Sequence, residues 1–174
     1  MAPTTDYEIL VFAYGSNMLS SRIQERCPHA RAVGVAGLPG HELAWHKRSK
    51  DGSGKCDVVT GDADATVFGV VYAVPRQEKG RLDQAEGLGH GYAESRTTVL
   101  LNGVAQDVVM YRATDVDPKL RPYTWYHAIV VAGAREHGLS PDYIDRLQAT
   151  DAKEDPDRER HARNMALVQG VTKL

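Results

Sequence analysis

The chain has 174 residues, of which 42 % are hydrophobic, 25 % charged and 7 % aromatic, the make-up of a folded globular protein rather than a disordered or fibrous one. Lys and Arg number 21 against 23 Asp and Glu, for a net charge of −2, so no broad electrostatic footprint points to nucleic acid or an anionic membrane, and only a local basic patch is left open. The two cysteines, Cys27 and Cys56, lack CxxC spacing, which argues against a zinc knuckle or a thioredoxin-type redox pair and fits a reducing, cytoplasmic setting.

Glu8 to Tyr14 is a short run of apolar and aromatic residues ended by Gly15-Ser16-Asn17, the pattern of a buried strand meeting a turn. Met18, Leu19 and Ile23 then recur among charges up to Cys27, and Pro28 ends the segment, which predicts a helix. Arg31 to Leu38, Glu42 to Trp45, Asp57 to Thr60 and Ala65 to Val74 read as strands separated by Pro39-Gly40 and by the Lys50 to Gly54 stretch. Gln77 to Ala85 reads as a short helix broken at Gly87-Leu88-Gly89. Tyr92 to Leu101 and Val104 to Arg112 flank Asn102-Gly103, the strongest short hairpin signal.

After Pro122 the pattern changes. Trp125, Ala128, Ile129, Ala132 and Gly133 form a helical stripe that Gly138 ends, Pro141 to Leu147 begins another helix, and Asp155-Pro156-Asp157 reads as an N-cap with proline in the first turn of a charged terminal helix. Strands fill the first two thirds and helices the last third. This segregation predicts an α+β fold, with a small, mostly antiparallel, barrel-like sheet and surrounding helices. No repeat or long linker divides the chain, so residues 1–174 are expected to be one domain, with 155–174 as a charged helix or tail. Met1 to Glu8 lacks the basic and apolar regions of a secretory leader, and the longest apolar run, Ala128 to Ala134, is too short to cross a bilayer.

Tyr14-Gly15-Ser16-Asn17 is the most informative stretch. A glycine after a strand lets the backbone approach a ligand closely, and the amides that follow open a helix, where negative charge is favoured. The plainer reading is a strand-to-helix turn in which Ser16 or Asn17 caps the helix. Glu86 sits where a helix ends, against the dipole, so it is either a solvated surface acid or an acid kept there for general acid/base work. His41 and His46, five apart on a strand, would point to opposite faces, and His127 and His137 would lie about 15 Å apart on one helix. No HExxH or Cys/His cluster is present, so no metal site is expected. Cys56 follows Lys55, which could favour a thiolate, although a small buried core residue is the plainer reading.

Phe12 to Met18, followed by Arg22-Ile23 and Pro28, resembles the opening of the γ-glutamylcyclotransferase family. Val67 to Tyr72 resembles its V-W-G-V strand, and Leu82-Asp83-Gln84-Ala85-Glu86-Gly87 with Tyr92 resembles its L-D-x-x-E-G segment and following tyrosine. Pro122, Tyr126, Gly133 to Leu139 and Tyr143 resemble its P-S-x-x-Y, G-A-x-x-x-G-L and downstream tyrosine. The likeness runs from about residue 9 to residue 150. It implies a barrel-like core and a cavity lined by Ala13, Tyr14, Gly15, Ser16 and Asn17, with Glu86 as the single catalytic acid/base. It also implies release of 5-oxoproline and a free amine or amino acid from a γ-glutamyl compound, without cofactor. Tyr126, together with Tyr92, would hydrogen-bond the glutamyl carboxylate or orient Glu86. The partner implied is a small γ-glutamyl molecule, and a homodimer is compatible with the family. Tyr123 stands where the family pattern has serine, which bears on the pocket near Tyr126. The alternative is a module of the same fold that binds a small anion or γ-glutamyl group without turnover. Glutathione-specific enzymes use a related loop but usually lack the asparagine.

Overall fold

Five strands close into a barrel in the order β1-β5-β2-β6-β7 in a computed structural model that describes residues 7–170. The readings of residues 1–6 and of the last four residues of the tail lie outside the described residues. The barrel strands are β1 (Glu8–Ala13), β2 (Arg31–Pro39), β5 (Thr66–Pro75), β6 (Tyr92–Leu101) and β7 (Val104–Ala113), while β3 (His41–Arg48) and β4 (Gly54–Thr60) form a separate two-stranded ribbon. Helices α1 (Ser20–Arg26), α2 (Lys79–Glu86), α3 (Thr124–Glu136), α4 (Pro141–Gln148) and α5 (Arg158–Gln169) complete the α+β fold.

β1 and β2 both pair antiparallel with β5, and β6 pairs antiparallel with β7. Closure is different, because β7 meets β1 in parallel at Val109 and Val11. Consequently the C-terminal ends of β1 and β7 and the N-terminal end of β6 gather at the same end of the barrel. In β5, Val70 to Val74 are all fully buried, as a strand with a neighbour on each edge and cover on both faces requires. The β6-β7 hairpin turns on Asn102 (φ 52°) and Gly103 (φ 77°), the left-handed pair that matches strand twist.

Several boundaries differ from the sequence reading. Ser16–Met18 forms a 3-10 turn, Leu19 is extended, and only then does α1 begin. Met18 and Leu19 are both fully buried, at the point where the chain passes from one short helical piece to the next. Neither Ser16 nor Asn17 caps α1, whose N-cap position is Leu19. At the last helix Asp157 is the cap, accepting from the Arg160 amide at 2.9 Å, and Pro156 precedes the cap instead of sitting in the first turn. β3 also runs longer than expected and carries a register shift between Ala44 and Lys47.

Gly133 explains how α3 seats against the 3-10 turn. A Cβ there would lie 2.6 Å from the Leu19 amide nitrogen and 2.8 Å from the Met18 Cβ, so only glycine allows this approach. Asp155 locks the other side of α3. Its carboxylate accepts from the Trp125 indole at 2.8 Å and from Arg160 through two bonds of 2.6 Å.

Candidate active site

At the gathered end of the barrel a small cavity of about 40 Å³ is lined by Ala13, Tyr14, Gly15, Ser16, Asn17, Glu86, Tyr92 and Tyr126. Every candidate residue of the sequence therefore faces one space, although Asn17 and Glu86 are separated by 69 positions. Cys56 and Tyr111 also line it.

β1 delivers Ala13 at its end, and the backbone turns at Gly15 into the 3-10 turn. A Cβ on Gly15 would stand 3.1 Å from both the Cys56 Cβ and the Tyr126 hydroxyl, so the missing side chain lets the loop lie against these two walls. Glu86 is the last residue of α2. Gly87, at φ 66°, ends the helix in the left-handed region, and the Leu88 amide reaches back to the Asp83 carbonyl at 2.9 Å, a hydrogen-bonded stop that holds Glu86 in place. The acid is neither free nor fully solvated: 15 % of its side chain is exposed. Asn17 Nδ2 donates to Glu86 Oε1 at 2.6 Å. Arg26 Nη1 lies 3.6 Å from the same oxygen and donates to Asn17 Oδ1, so Asn17 and Arg26 together set the carboxylate.

The tyrosines form the remaining walls. Tyr92 Oη donates to the Cys56 carbonyl at 2.7 Å, and the Cys56 amide donates to Tyr126 Oη at 3.1 Å. The two rings thus clamp one residue of β4 from either side. Tyr126 makes no hydrogen bond to Glu86 among the described residues, so orienting that acid falls to Asn17 and Arg26. Tyr14 donates to the Tyr111 carbonyl, and Tyr111 donates to Asp83. Burial pushes the Tyr14, Tyr92 and Tyr126 hydroxyls well above the usual tyrosine range, so they remain neutral donors. Cys56 is also buried, and its thiol is pushed up to about 12 despite the opposing Tyr126 bond. It is a neutral wall, and the thiolate reading next to Lys55 does not hold.

The other singled-out residues stand apart. His46 bonds the buried Asp57 at 2.8 Å, while His41 bonds the Pro39 carbonyl at 2.8 Å. His127 bonds the Leu147 carbonyl, and His137 lies beside Tyr72 and Glu136. Tyr123 does not line the cavity. Its hydroxyl donates to the Asp51 carbonyl at 2.7 Å, tying the loop between β3 and β4 to α3. Arg26 escaped the sequence reading, yet a signal existed: Arg22 and Arg26 are four apart on the helix after the glycine loop, hence on one face. Tyr111 had no such signal, since only strand pairing brings it here.

The AIG2-like family profile matches residues 66–147, from β5 through α4. The chain is 30 % identical over 146 residues to γ-glutamylcyclotransferase of Bos taurus, covering 80 % of this chain and 77 % of that protein. Against the Homo sapiens γ-glutamylcyclotransferase it is 29 % identical over the same shares. A solved γ-glutamyl cyclotransferase structure superposes with a TM-score of 0.84 at 25 % identity, covering 94 % of this chain and 99 % of that one. The fold and these relatives define a barrel enzyme of the cyclotransferase type. The chain belongs to the γ-glutamylcyclotransferase family. No helix among the described residues is long and apolar enough to cross a membrane.

Proposed function

We propose that the protein converts a γ-glutamyl compound to 5-oxoproline and a free amine or amino acid, with Glu86 as the proton shuttle. The observation that carries this reading is the convergence of Glu86 and the Tyr14 to Asn17 loop on one cavity. The substrate's α-ammonium cannot attack until it loses a proton. Glu86 takes that proton, the α-nitrogen bonds to the γ-carbonyl carbon, and the old amide C–N bond breaks. Of the three protons on the α-nitrogen, one stays in the lactam and two end on the departing nitrogen, passed across by Glu86.

The first amides of a 3-10 turn have no acceptor within it, so those of Ser16 and Asn17 can face the oxygen that becomes negative in the tetrahedral intermediate. Such donors are worth about 3 kcal/mol each where they have been removed from comparable sites. Tyr126, whose oxygen already accepts from Cys56, keeps its own proton to donate to the glutamyl carboxylate. Tyr92 spends its proton on the Cys56 carbonyl and acts as a wall. Ring closure needs no outside nucleophile, and holding the glutamyl arm folded supplies a further share of the rate.

The test is 5-oxoproline release from a panel of γ-glutamyl amino acids and amines, followed by mass spectrometry, on the parent protein and on Glu86→Gln. The variant keeps the volume but cannot accept a proton. Loss of about 10² to 10⁴ in kcat is expected, with circular dichroism unchanged. A folded Glu86→Gln protein with near-normal release would remove Glu86 from the mechanism.

A further inference from the structure

A second cavity of about 220 Å³ lies outside the first and shares Ser16, Glu86, Tyr92 and Tyr126 with it. Glu86 therefore stands where the two spaces meet. With the glutamyl group in the inner space, an amide whose nitrogen takes its proton from Glu86 must extend its other half into the outer one.

The charges around that outer cavity are unbalanced. Arg22, Arg26, Lys47 and Lys55 line it, against the carboxylates of Asp51 and Glu86. Asp51 answers Lys55 at 3.1 Å, and Glu86 answers Arg26 at 3.6 Å. Arg22 pairs with the half-exposed Glu25 at 3.7 Å and donates through Nη1 to Asn164 Oδ1 at 3.1 Å, while its buried Nε has no hydrogen-bond partner among the described residues. Lys47 makes no ion pair among the described residues, its ammonium resting 4.6 Å from the centre of the Tyr92 ring. Burial pulls that ammonium below the usual lysine range.

The sheet gains nothing from this arrangement. Lys47 on β3 is the direct cross-strand partner of Lys55 on β4, and like charges placed opposite each other destabilise a strand pair. A local rule broken in this way, beside a cavity, points to a ligand. The Tyr123 hydroxyl holds the Asp51 carbonyl, and Asp51 holds Lys55, so Lys55 is neutralised in place and the uncompensated charge is left on Lys47.

We infer that the outer cavity receives the leaving group and selects one that carries two carboxylates, an acidic amino acid, with Lys47 as the residue that sets this preference; the inference rests on the cyclotransferase reading above. A neutral leaving amino acid brings one carboxylate to this cationic lining, and an acidic one brings a second for Lys47.

γ-Glutamylglutamate and γ-glutamylglutamine have nearly the same shape and differ by one charge, so they are the probes. At low ionic strength and pH 7, the parent protein is expected to favour the first by at least tenfold in kcat/KM, and Glu86→Gln protein to bind it at least tenfold more tightly by calorimetry. Lys47→Met brings both ratios to within twofold of unity, and Lys47→Arg retains the preference. Equal handling of the two dipeptides by the parent overturns the inference, as does failure of both to bind Glu86→Gln. Equal weakening of both by Lys47→Met overturns it too, since Lys47 would then hold the carboxylate common to them. Release of 5-oxoproline from both at equal rates sinks the inference and leaves the cyclotransferase reading standing. A tenfold binding preference without any 5-oxoproline does the reverse. The comparison on the parent protein requires no variant to fold.

Discussion

Asn17 Nδ2 donates to Glu86 Oε1 at 2.6 Å, which joins the glycine loop to the end of α2 and aims the carboxylate into the cavity. A hydrogen bond to a charged group is worth about 1.5–3 kcal/mol, enough to matter for an acid that, in the proposed reaction, must stay within reach of two nitrogens. Asn17→Ala should lower kcat by about 10- to 100-fold while KM changes little. Asn17→Asp should do worse, because its charge would face Glu86. Steady-state kinetics with circular dichroism on the two variants checks this, and an Asp variant as active as the parent would refute the positioning role.

Sulfur has no part in the proposed chemistry. With the Cys56 thiol pushed up to about 12 by burial, almost no thiolate exists near neutral pH. No covalent acyl-enzyme should accumulate, so the intact mass of the protein stays constant during turnover. A folded Cys56→Ser variant should keep more than about a tenth of kcat. A loss beyond about a hundredfold, the size of losing a catalytic group, would reopen a covalent route.

Acid stability should depend on Asp155. The Arg160 guanidinium, with the Asp157 amide and the Trp125 indole, holds its carboxyl well below the usual range despite burial. The folded state then binds fewer protons than the unfolded one, so stability rises with pH. The contribution is present above the unfolded value of about 3.9 and is lost as pH falls from there through the lower folded value. Asp155→Asn should flatten the dependence of urea midpoint on pH below about 4. It should also cost stability at pH 7, because it leaves Arg160 only the more distant and exposed Asp157, 4.0 Å away. An unchanged slope would show that other carboxylates govern acid unfolding.

Lys55 predicts the opposite limb. Burial lowers its ammonium to about 8, against the pull of Asp51 and with Arg22 and Lys47 adding to the fall, while the rings of Trp125 and Tyr126 lie 4.2 and 4.4 Å from it. Above that pH Lys55 becomes neutral and Asp51 loses its counter-charge. The outer cavity grows more negative, so KM for γ-glutamylglutamate should rise between pH 7.5 and about 9 more steeply than KM for γ-glutamylglutamine. Parallel profiles would exclude Lys55 from this role.

Much of the architecture was legible because it depends on short-range patterns. Alternation and β-branched runs located the strands, Asn102-Gly103 announced the hairpin, and Gly87 after Glu86 marked the helix end that places the acid. Local patterns failed where burial outweighed propensity. The expected helix is split into a 3-10 turn and α1 around the buried Met18 and Leu19, and Asn17, instead of capping, reaches Glu86. Motif order alone linked the loop, Glu86, Tyr92 and Tyr126 as one set. Their distances, the pairing of Asn17 and Arg26 with Glu86, and the placement of Lys47 opposite Lys55 came only with the tertiary structure, because parallel closure of the barrel and the register of β3 against β4 join residues far apart in the chain. Charge shows the same division. A net charge of −2 describes the whole surface, whereas a cationic cavity in which Lys47 has no ion pair among the described residues exists only once the folded chain has decided which ions meet.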